Sequence, residues 1–309
     1  MKTLILQHDD CLRHDPGRRH AESSARVTSV LNGIGGLPGI EILPAPVATV
    51  EQLRRVHAPE YWERLVELEP PREAGENQVA LDPDTFLSTG SIDATLRASG
   101  AACFAIDQVI AGNAKNAFCA TRPPGHHADA QVAMGFCLLN HAAVASRHAQ
   151  NVHGIGRVAI LDFDAHHGNG TQAIFENSPD VLYVSSHQMP LYPGTGYSSE
   201  TGSGNILNLP LAPGAGGKEF RAAWAASGLP ALERFRPDLI IISAGFDAHA
   251  RDPLAQLELQ DEDYGWITGQ ICAYATADCG GRVISILEGG YDLDALASAS
   301  AAHVSALTK

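Results

Sequence analysis

The sequence predicts an α/β fold built on a central, mainly parallel sheet, and three observations carry that expectation. Several apolar runs show no polar alternation, the pattern of strands covered on both faces. Segments of helical character separate them, so strand and helix alternate along the chain. The runs then end in turns that deliver Asp, His or Tyr, and open α/β sheets bind ligands beyond the carboxyl ends of their strands.

In chain order, Met1-Lys2-Thr3-Leu4-Ile5-Leu6-Gln7-His8 reads as a first strand. Helices are expected over Glu22 to Leu31 and Glu60 to Leu68, with a polar loop from Glu69 to Gln78. A long helix over Ser91 to Ala111 leads to a short strand from Asn116, which enters Pro123-Pro124-Gly125 and then His126-His127. After a helix over Asn140 to Gln150, the run Arg157-Val158-Ala159-Ile160 reads as a buried strand between Gly156 and Gly168. The Gly/Ser-rich region from Pro193 to Gly204 reads as a loop, and both loops are placed over the mouth of the site. A helix over Lys218 to Phe235 precedes the β-branched run Leu239-Ile240-Ile241-Ile242, which delivers Asp247. A helix over Asp261 to Ala277 precedes the strand Arg282 to Leu287, which ends in Glu288-Gly289-Gly290-Tyr291. A last helix covers Leu293 to Leu307. No internal repeat is visible and neither loop has the length of a linker, so one domain over residues 1–309 is expected.

The chemistry gathers at four strand ends. Alternate residues of an extended chain point the same way, so Asp164 and His166 present an oxygen and a nitrogen to one spot. With Asp247 they make three protein ligands and leave a fourth position for water, the open coordination of a catalytic zinc. Such an ion lowers the pKa of bound water and polarises a carbonyl. His126 and His127 are suited to take a proton from that water and return it to a leaving group. Tyr291 is suited to donate its hydroxyl to the developing oxyanion. Asp162 and Asn169 flank the ligands and are suited to hydrogen-bond the two histidines. The sum is metal-assisted hydrolysis of an amide or ester. Duller readings stand beside it: a turn feature near a helix start for the two histidines, a half-buried phenol for Tyr291, plain core for Phe136 and loop packing for Tyr192.

These residues resemble the zinc-dependent histone deacetylase family, including bacterial amidohydrolases and acetylpolyamine deacetylases. Arg122-Pro123-Pro124-Gly125-His126-His127-Ala128 is similar to its tandem-histidine motif, and Asp162 to Gly170 to its metal-binding motif, with Asn169 typical of class II members. Gly135-Phe136-Cys137-Leu138-Leu139-Asn140, Pro193-Gly194-Thr195-Gly196, Ser243 to Asp247 with Asp252-Pro253-Leu254, and Glu288-Gly289-Gly290-Tyr291 follow in the family's order. The resemblance implies an arginase-like α/β fold and hydrolysis of acetyl-lysine or acetylated polyamines. It implies one zinc on Asp164, His166 and Asp247, with His126 paired to Asp162, His127 to Asn169, and Tyr291 on the carbonyl. It implies a tunnel walled by Phe136, after Gly135, and by Tyr192, with Asp84 holding the substrate backbone. A potassium or sodium ion is implied at Asp162, Asp164, His166, Ser185 and Ser186, partly through backbone oxygens. His20-Ala21-Glu22 stands where many members have His-Pro-Glu, a departure that keeps the glutamate.

Composition narrows the partners. Of the 309 residues, 45% are apolar, enough for a sizeable core, and the formal charge is −14. That charge argues against direct binding to nucleic acid, and suits a basic substrate no better than it suits simple solubility. No apolar stretch has the length of a membrane span, and no signal peptide is visible at the start. Six cysteines without a C-x-x-C pair suit thiols in a reducing cytosol, so a cytoplasmic enzyme is expected, with a homo-oligomer left open.

Substrate choice stays open. Leu254 stands where some polyamine deacetylases carry an acidic gatekeeper, which favours an acyl-lysine substrate, although Glu73, Glu76 or Asp129 could serve from other loops. A small amide or ester, ferrous iron in place of zinc, a binuclear metal site and an idle acyl-lysine binding protein are the remaining alternatives.

Overall fold

The computed structural model of the chain describes residues 1–71 and 78–309. Strand β1 (Thr3–Gln7) is followed by a 3-10 turn, Asp9–Leu12, then α1 (Ala25–Ile34), β2 (Ile40–Pro44), α2 (Val50–Leu53) and α3 (Pro59–Leu68). A small antiparallel pair, β3 (Gln78–Ala80) and β4 (Phe86–Ser88), precedes the long helix α4 (Ser91–Ile110). Next come β5 (Asn116–Cys119), α5 (His141–His153), β6 (Val158–Asp162), α6 (Asn169–Phe175), β7 (Val181–Gln188) and β8 (Ile206–Leu211). The remainder holds α7 (Gly217–Ala223), α8 (Leu229–Phe235), β9 (Leu239–Ala244), α9 (Asp261–Asp278), β10 (Val283–Leu287) and α10 (Leu293–Thr308).

Eight strands form one parallel sheet in the order β2-β1-β5-β10-β9-β6-β7-β8. The chain runs out to the edge at β8, then returns to fill the gap between β5 and β6 with β9 and β10. The four strands that deliver His126 and His127, Tyr291, Asp247, and Asp164 with His166 are therefore consecutive neighbours, spaced about 4.8 Å apart across the sheet.

Both faces of the sheet are covered, which is why its strands read as unbroken apolar runs. Ile240 and Ile242 of β9 pack into a core with Phe163, Tyr264 and Leu296. Leu239 and Ile241 point the other way, into a core with Ala101, Ile106 and Ala142. All six cysteines are free and five are buried. Among the described residues, no helix is long and apolar enough to cross a membrane.

Several boundaries differ from the sequence expectation, each for a local reason. The first helix starts at Ala25, because Glu22 is drawn into a buried ion cluster with Arg26 and Arg122. Asn140 is not the first helical residue of α5 but its cap, its side chain accepting from Ala143 N. The helix expected over Lys218 to Phe235 is broken by a π turn, Trp224–Gly228. Pro230 lacks an N–H for the ladder and crowds the carbonyl four residues back, which favours a widened turn there. Gly228 makes room for the Trp224 ring, whose Nε1 donates to Ser186 Oγ at 3.0 Å. Strands β2, β7 and β8, the β3–β4 pair and helix α6 were not anticipated. Gln78, assigned to the polar loop, opens β3, while residues 72–77, including Glu73 and Glu76, lie outside the described residues.

Candidate active site

The carboxyl end of β6 turns sharply, and its side chains bond back into their own turn. Asp164 N donates to Asp162 Oδ1 (3.1 Å) and His166 N to Asp164 Oδ1 (2.9 Å). Neighbouring strand ends complete the frame: Ala165 N donates to Asp247 Oδ1 (2.7 Å) and Gly289 N to Asp164 Oδ2 (2.8 Å). Methyl groups added at Gly245 and Gly289 would overlap the carboxylates of Asp164 and Asp247, so only glycine lets these backbones approach so closely.

Asp164, His166 and Asp247 offer ligand atoms that all lie within 4.8 Å of one another. His166 Nδ1 faces Asp164 Oδ1 at 3.1 Å and Asp247 Oδ2 at 2.9 Å. Both carboxylates are buried. Burial pushes Asp247 up to about 7, reinforced by the charge of Asp164. Burial disfavours the charged form of His166, yet its bonds to the two carboxylates outweigh that and raise it to about 10. Two buried carboxylates thus converge on one imidazole, which holds a proton as their compensating charge. A divalent cation supplies that compensation better, and the set of two oxygens and one nitrogen suits zinc.

His126 and His127 stand beside this group with opposite electrostatics. His126 Nδ1 lies 3.0 Å from Asp162 Oδ2, and its Nε2 lies 3.8 Å from Asp164 Oδ2. Burial opposes its charge, but Asp164 and Asp162 outweigh burial and hold its pKa well above the ordinary value. A cation between Asp164 and Asp247 would offset part of that pull. His127 Nδ1 lies 2.8 Å from the neutral Asn169 Oδ1; burial, then the charges of His126 and His166, depress it well below the ordinary value. Asn169 Nδ2 donates to Met134 Sδ (3.3 Å), which turns its carbonyl oxygen toward His127.

These groups open on a cavity of about 240 Å³ lined by Asp84, His127, Gly135, Phe136, His166, Leu191, Tyr192, Leu254 and Tyr291. Phe136 and Tyr291 meet edge to face, with ring centroids 5.8 Å apart. Asp252 accepts from Tyr291 N (2.7 Å) and from Leu254 N (2.9 Å), so one carboxylate fixes both walls on that side. Arg26 lies behind the Tyr291 ring, 4.9 Å from its centroid.

The expected residues divide accordingly. Gly135, Phe136, Tyr192, Leu254 and Asp84 share the cavity with Tyr291. Asp162 and Ser185 are cross-strand neighbours on β6 and β7. Ser185 Oγ, however, is engaged with His187 Nδ1 (2.9 Å), and Ser186 Oγ with Trp224. Asp129, weighed as an acidic gatekeeper, accepts from Gln131 N and Val132 N in its own turn and is not among the cavity's lining residues.

Sequence reasoning missed three supports. Tyr183 donates to Asp162 Oδ2 (2.9 Å), the oxygen that also faces His126, but it lies mid-strand on the unanticipated β7 with no local signal. Glu288 accepts from Gly125 N (2.6 Å), His126 N (3.1 Å) and Ser243 Oγ (2.9 Å), tying three strand ends together. A carboxyl ending an otherwise apolar strand was its signal. Arg26 donates to the Gly290 carbonyl (2.7 Å), and a charged residue on the buried face of a helix was the clue there.

A histone deacetylase domain profile matches residues 20–307. The histone deacetylase-like amidohydrolase of Pseudomonas aeruginosa is 42% identical over 281 residues, covering 88% of this chain and 72% of that protein. A probable deacetylase of Archaeoglobus fulgidus is 38% identical, covering 95% of this chain and 82% of that one. The crystal structure of the HDA15 HD domain superposes with a TM-score of 0.92 at 34% identity, over 100% of this chain and 90% of that one.

Proposed function

The chain belongs to the histone deacetylase family, and from that premise we propose that it hydrolyses the amide of N-acyl lysine side chains, acetyl-lysine first among them. One zinc ion on Asp164, His166 and Asp247 would serve the reaction, giving it a Lewis acid for the carbonyl and an acidified water. The observation that carries this reading is the convergence of those three ligands, within 4.8 Å, beneath a 240 Å³ cavity that Tyr291 and His127 also line.

The protein's own groups divide the work. Asn169 Oδ1 accepts from His127 Nδ1 and so leaves Nε2 as a free lone pair, and the depressed pKa keeps that ring neutral. His127 Nε2 takes the proton of the attacking water as the oxygen–carbon bond forms, then gives it to the amine nitrogen as the carbon–nitrogen bond breaks. The products are a free amine and a carboxylate. His126, paired with Asp162, contributes positive charge beside the reacting centre. Tyr291 donates its hydroxyl to the oxyanion; burial holds that phenol well above its ordinary pKa, so it stays protonated as a donor. Phe136 and Tyr192 flank the aliphatic part of the substrate, and Asp84 receives the backbone N–H groups beyond it. On the same reading Asp162, Asp164, His166, Ser185 and Ser186 would hold a potassium or sodium ion.

Asp84 also favours a second substrate class, since a carboxylate at the mouth attracts the free ammonium of an acetylated polyamine. Leu254, which lines the same cavity, offers that cation no charge, which puts the peptide first. The deciding measurement is kcat/KM of zinc-loaded enzyme on an acetyl-lysine peptide against N-acetylputrescine and N-acetylspermidine. A large preference for the peptide is expected; a preference for the polyamines would overturn the assignment.

A further inference from the structure

Phe136 is a channel wall with a backbone problem. Its φ is 68°, a left-handed conformation that is strained for a residue with a Cβ. Something must hold it there, and two side chains from the rim do so. Phe136 N donates to Thr85 Oγ1 at 3.0 Å, and that hydroxyl donates onward to Asp84 Oδ1 at 3.2 Å. Thr85 is buried, so water does not compete for these bonds.

His20 closes the arrangement from the other side. Its ring meets Phe136 edge to face at 4.6 Å and Phe86 at 5.8 Å. Its Nδ1 accepts from Glu22 N (3.2 Å), which puts the proton on Nε2, and Nε2 donates to the Asp84 carbonyl at 2.9 Å. Asp82 shapes the same turn, accepting from Asp84 N (2.9 Å) and Thr85 N (2.5 Å). Rim and wall are thus joined twice, through a hydroxyl and through an imidazole. Neither group lines the cavity, and neither has a part in the proton transfers above.

We propose that Thr85 and His20 are positioning residues that clasp the rim carboxylate Asp84 to the channel wall Phe136, and that this clasp sets substrate affinity, not the rate of hydrolysis. The proposal rests on the deacylase reading for its kinetic part and on geometry alone for its structural part. Both the channel wall and the backbone-holding carboxylate grip the substrate alike in its ground and transition states, so loosening them weakens binding uniformly.

The test uses the full chain loaded with zinc and three variants: Thr85→Val, which keeps the shape and loses the hydroxyl, Thr85→Ser, which restores it, and His20→Phe, which keeps the ring and loses Nε2. With an acetyl-lysine peptide, Thr85→Val and His20→Phe are expected to raise KM about 10-fold with kcat within about twofold, and Thr85→Ser to stay near wild type. Amide hydrogen exchange at Phe136 should quicken in Thr85→Val and recover in Thr85→Ser. An unchanged KM, or a kcat that falls while KM holds, overturns the proposal. Should the wild type hydrolyse no acylated amine, the deacylase reading fails by itself. Exchange at Phe136 then decides the clasp: quickening in Thr85→Val sustains it, and unaltered exchange refutes it.

Discussion

Asp164, His166 and Asp247 form one compact Asp/His group; Asp107, His148 and His153 form another, its ligand atoms likewise within 4.8 Å of one another. The first sits at buried strand ends, the second between α4 and α5, where Asp107 is partly exposed. In the second, Asp107 Oδ1 lies 2.7 Å from Nε2 of both histidines. Behind His148, Arg55 Nη1 stands 2.8 Å from Nδ1. Arginine can only donate, so His148 Nδ1 must accept and the proton resides on Nε2, facing Asp107. Ligation through Nε2 would require that proton on Nδ1, where the guanidinium forbids it. The helix-layer group is a satisfied brace, while in the strand-end group two buried carboxylates share a single imidazole as their counter-charge. A donor set alone does not make a metal site; what stands behind each ring decides.

The largest effect that could break this contrast is on metal content. Asp164→Ala should lose bound zinc and reduce turnover to background, whereas Asp107→Asn should keep one zinc per chain and a kcat/KM near wild type. Elemental analysis beside steady-state kinetics checks both; zinc lost from the Asp107 variant would reverse the assignment. Next in size, Tyr291→Phe should lower kcat about 100-fold to 1,000-fold while retaining the metal, separating oxyanion stabilisation from ligation. A near-wild-type kcat would remove Tyr291 from the chemistry.

A third charged group, fully buried, sharpens the comparison through pH. Burial alone would raise Glu22, but Arg122, His14 and Arg26 outweigh it and hold the carboxyl at about 2. Burial lowers His14 to about 4. Both depressed values mean the folded chain binds fewer protons than the unfolded chain, so stability falls as pH drops. The His14 contribution is lost between about pH 6.5 and 4, and that of Glu22 between about pH 4.5 and 2. The urea midpoint of the wild type relative to that of His14→Gln should therefore fall between about pH 6.5 and 4, and a difference that does not change with pH would contradict the His14 contribution. The smallest effect belongs to the brace: Asp107→Asn should cost about 1 kcal/mol in urea unfolding, as partly exposed charged contacts do. A null result there would leave α4 and α5 held by apolar packing and the buried Ser99–His141 hydrogen bond.

How much of this was legible depended on whether the signal was local. The buried strands at Leu239, Val283 and Val158 announced themselves because continuous β-branched runs have few other uses. The second residues of the ligand pattern, Asp164 and His166, share a turn and a face, so spacing alone paired them. Strand β7 hid because Ser185, Ser186 and His187 interrupt its apolar run, and β8 because Asn208 and Pro210 break its pattern. The clasp was beyond reach: Thr85, His20 and Phe136 are separated by 51 residues or more along the chain on the pairs that matter, Thr85 to Phe136 among them.

The sequence by itself determined the fold class, the strand ends that carry chemistry and the residue types available to hold a metal, because each of these is written in neighbours a few positions apart. Only the tertiary structure decided which donors face one another. Returning β9 and β10 to the gap between β5 and β6 places Asp247 and Tyr291 beside His126 and Asp164. The tertiary structure likewise sets Arg55 behind His148 and places His166 between two buried carboxylates. Proton positions and charge compensation depend on distances of about 3 Å between remote segments, and no local pattern encodes those.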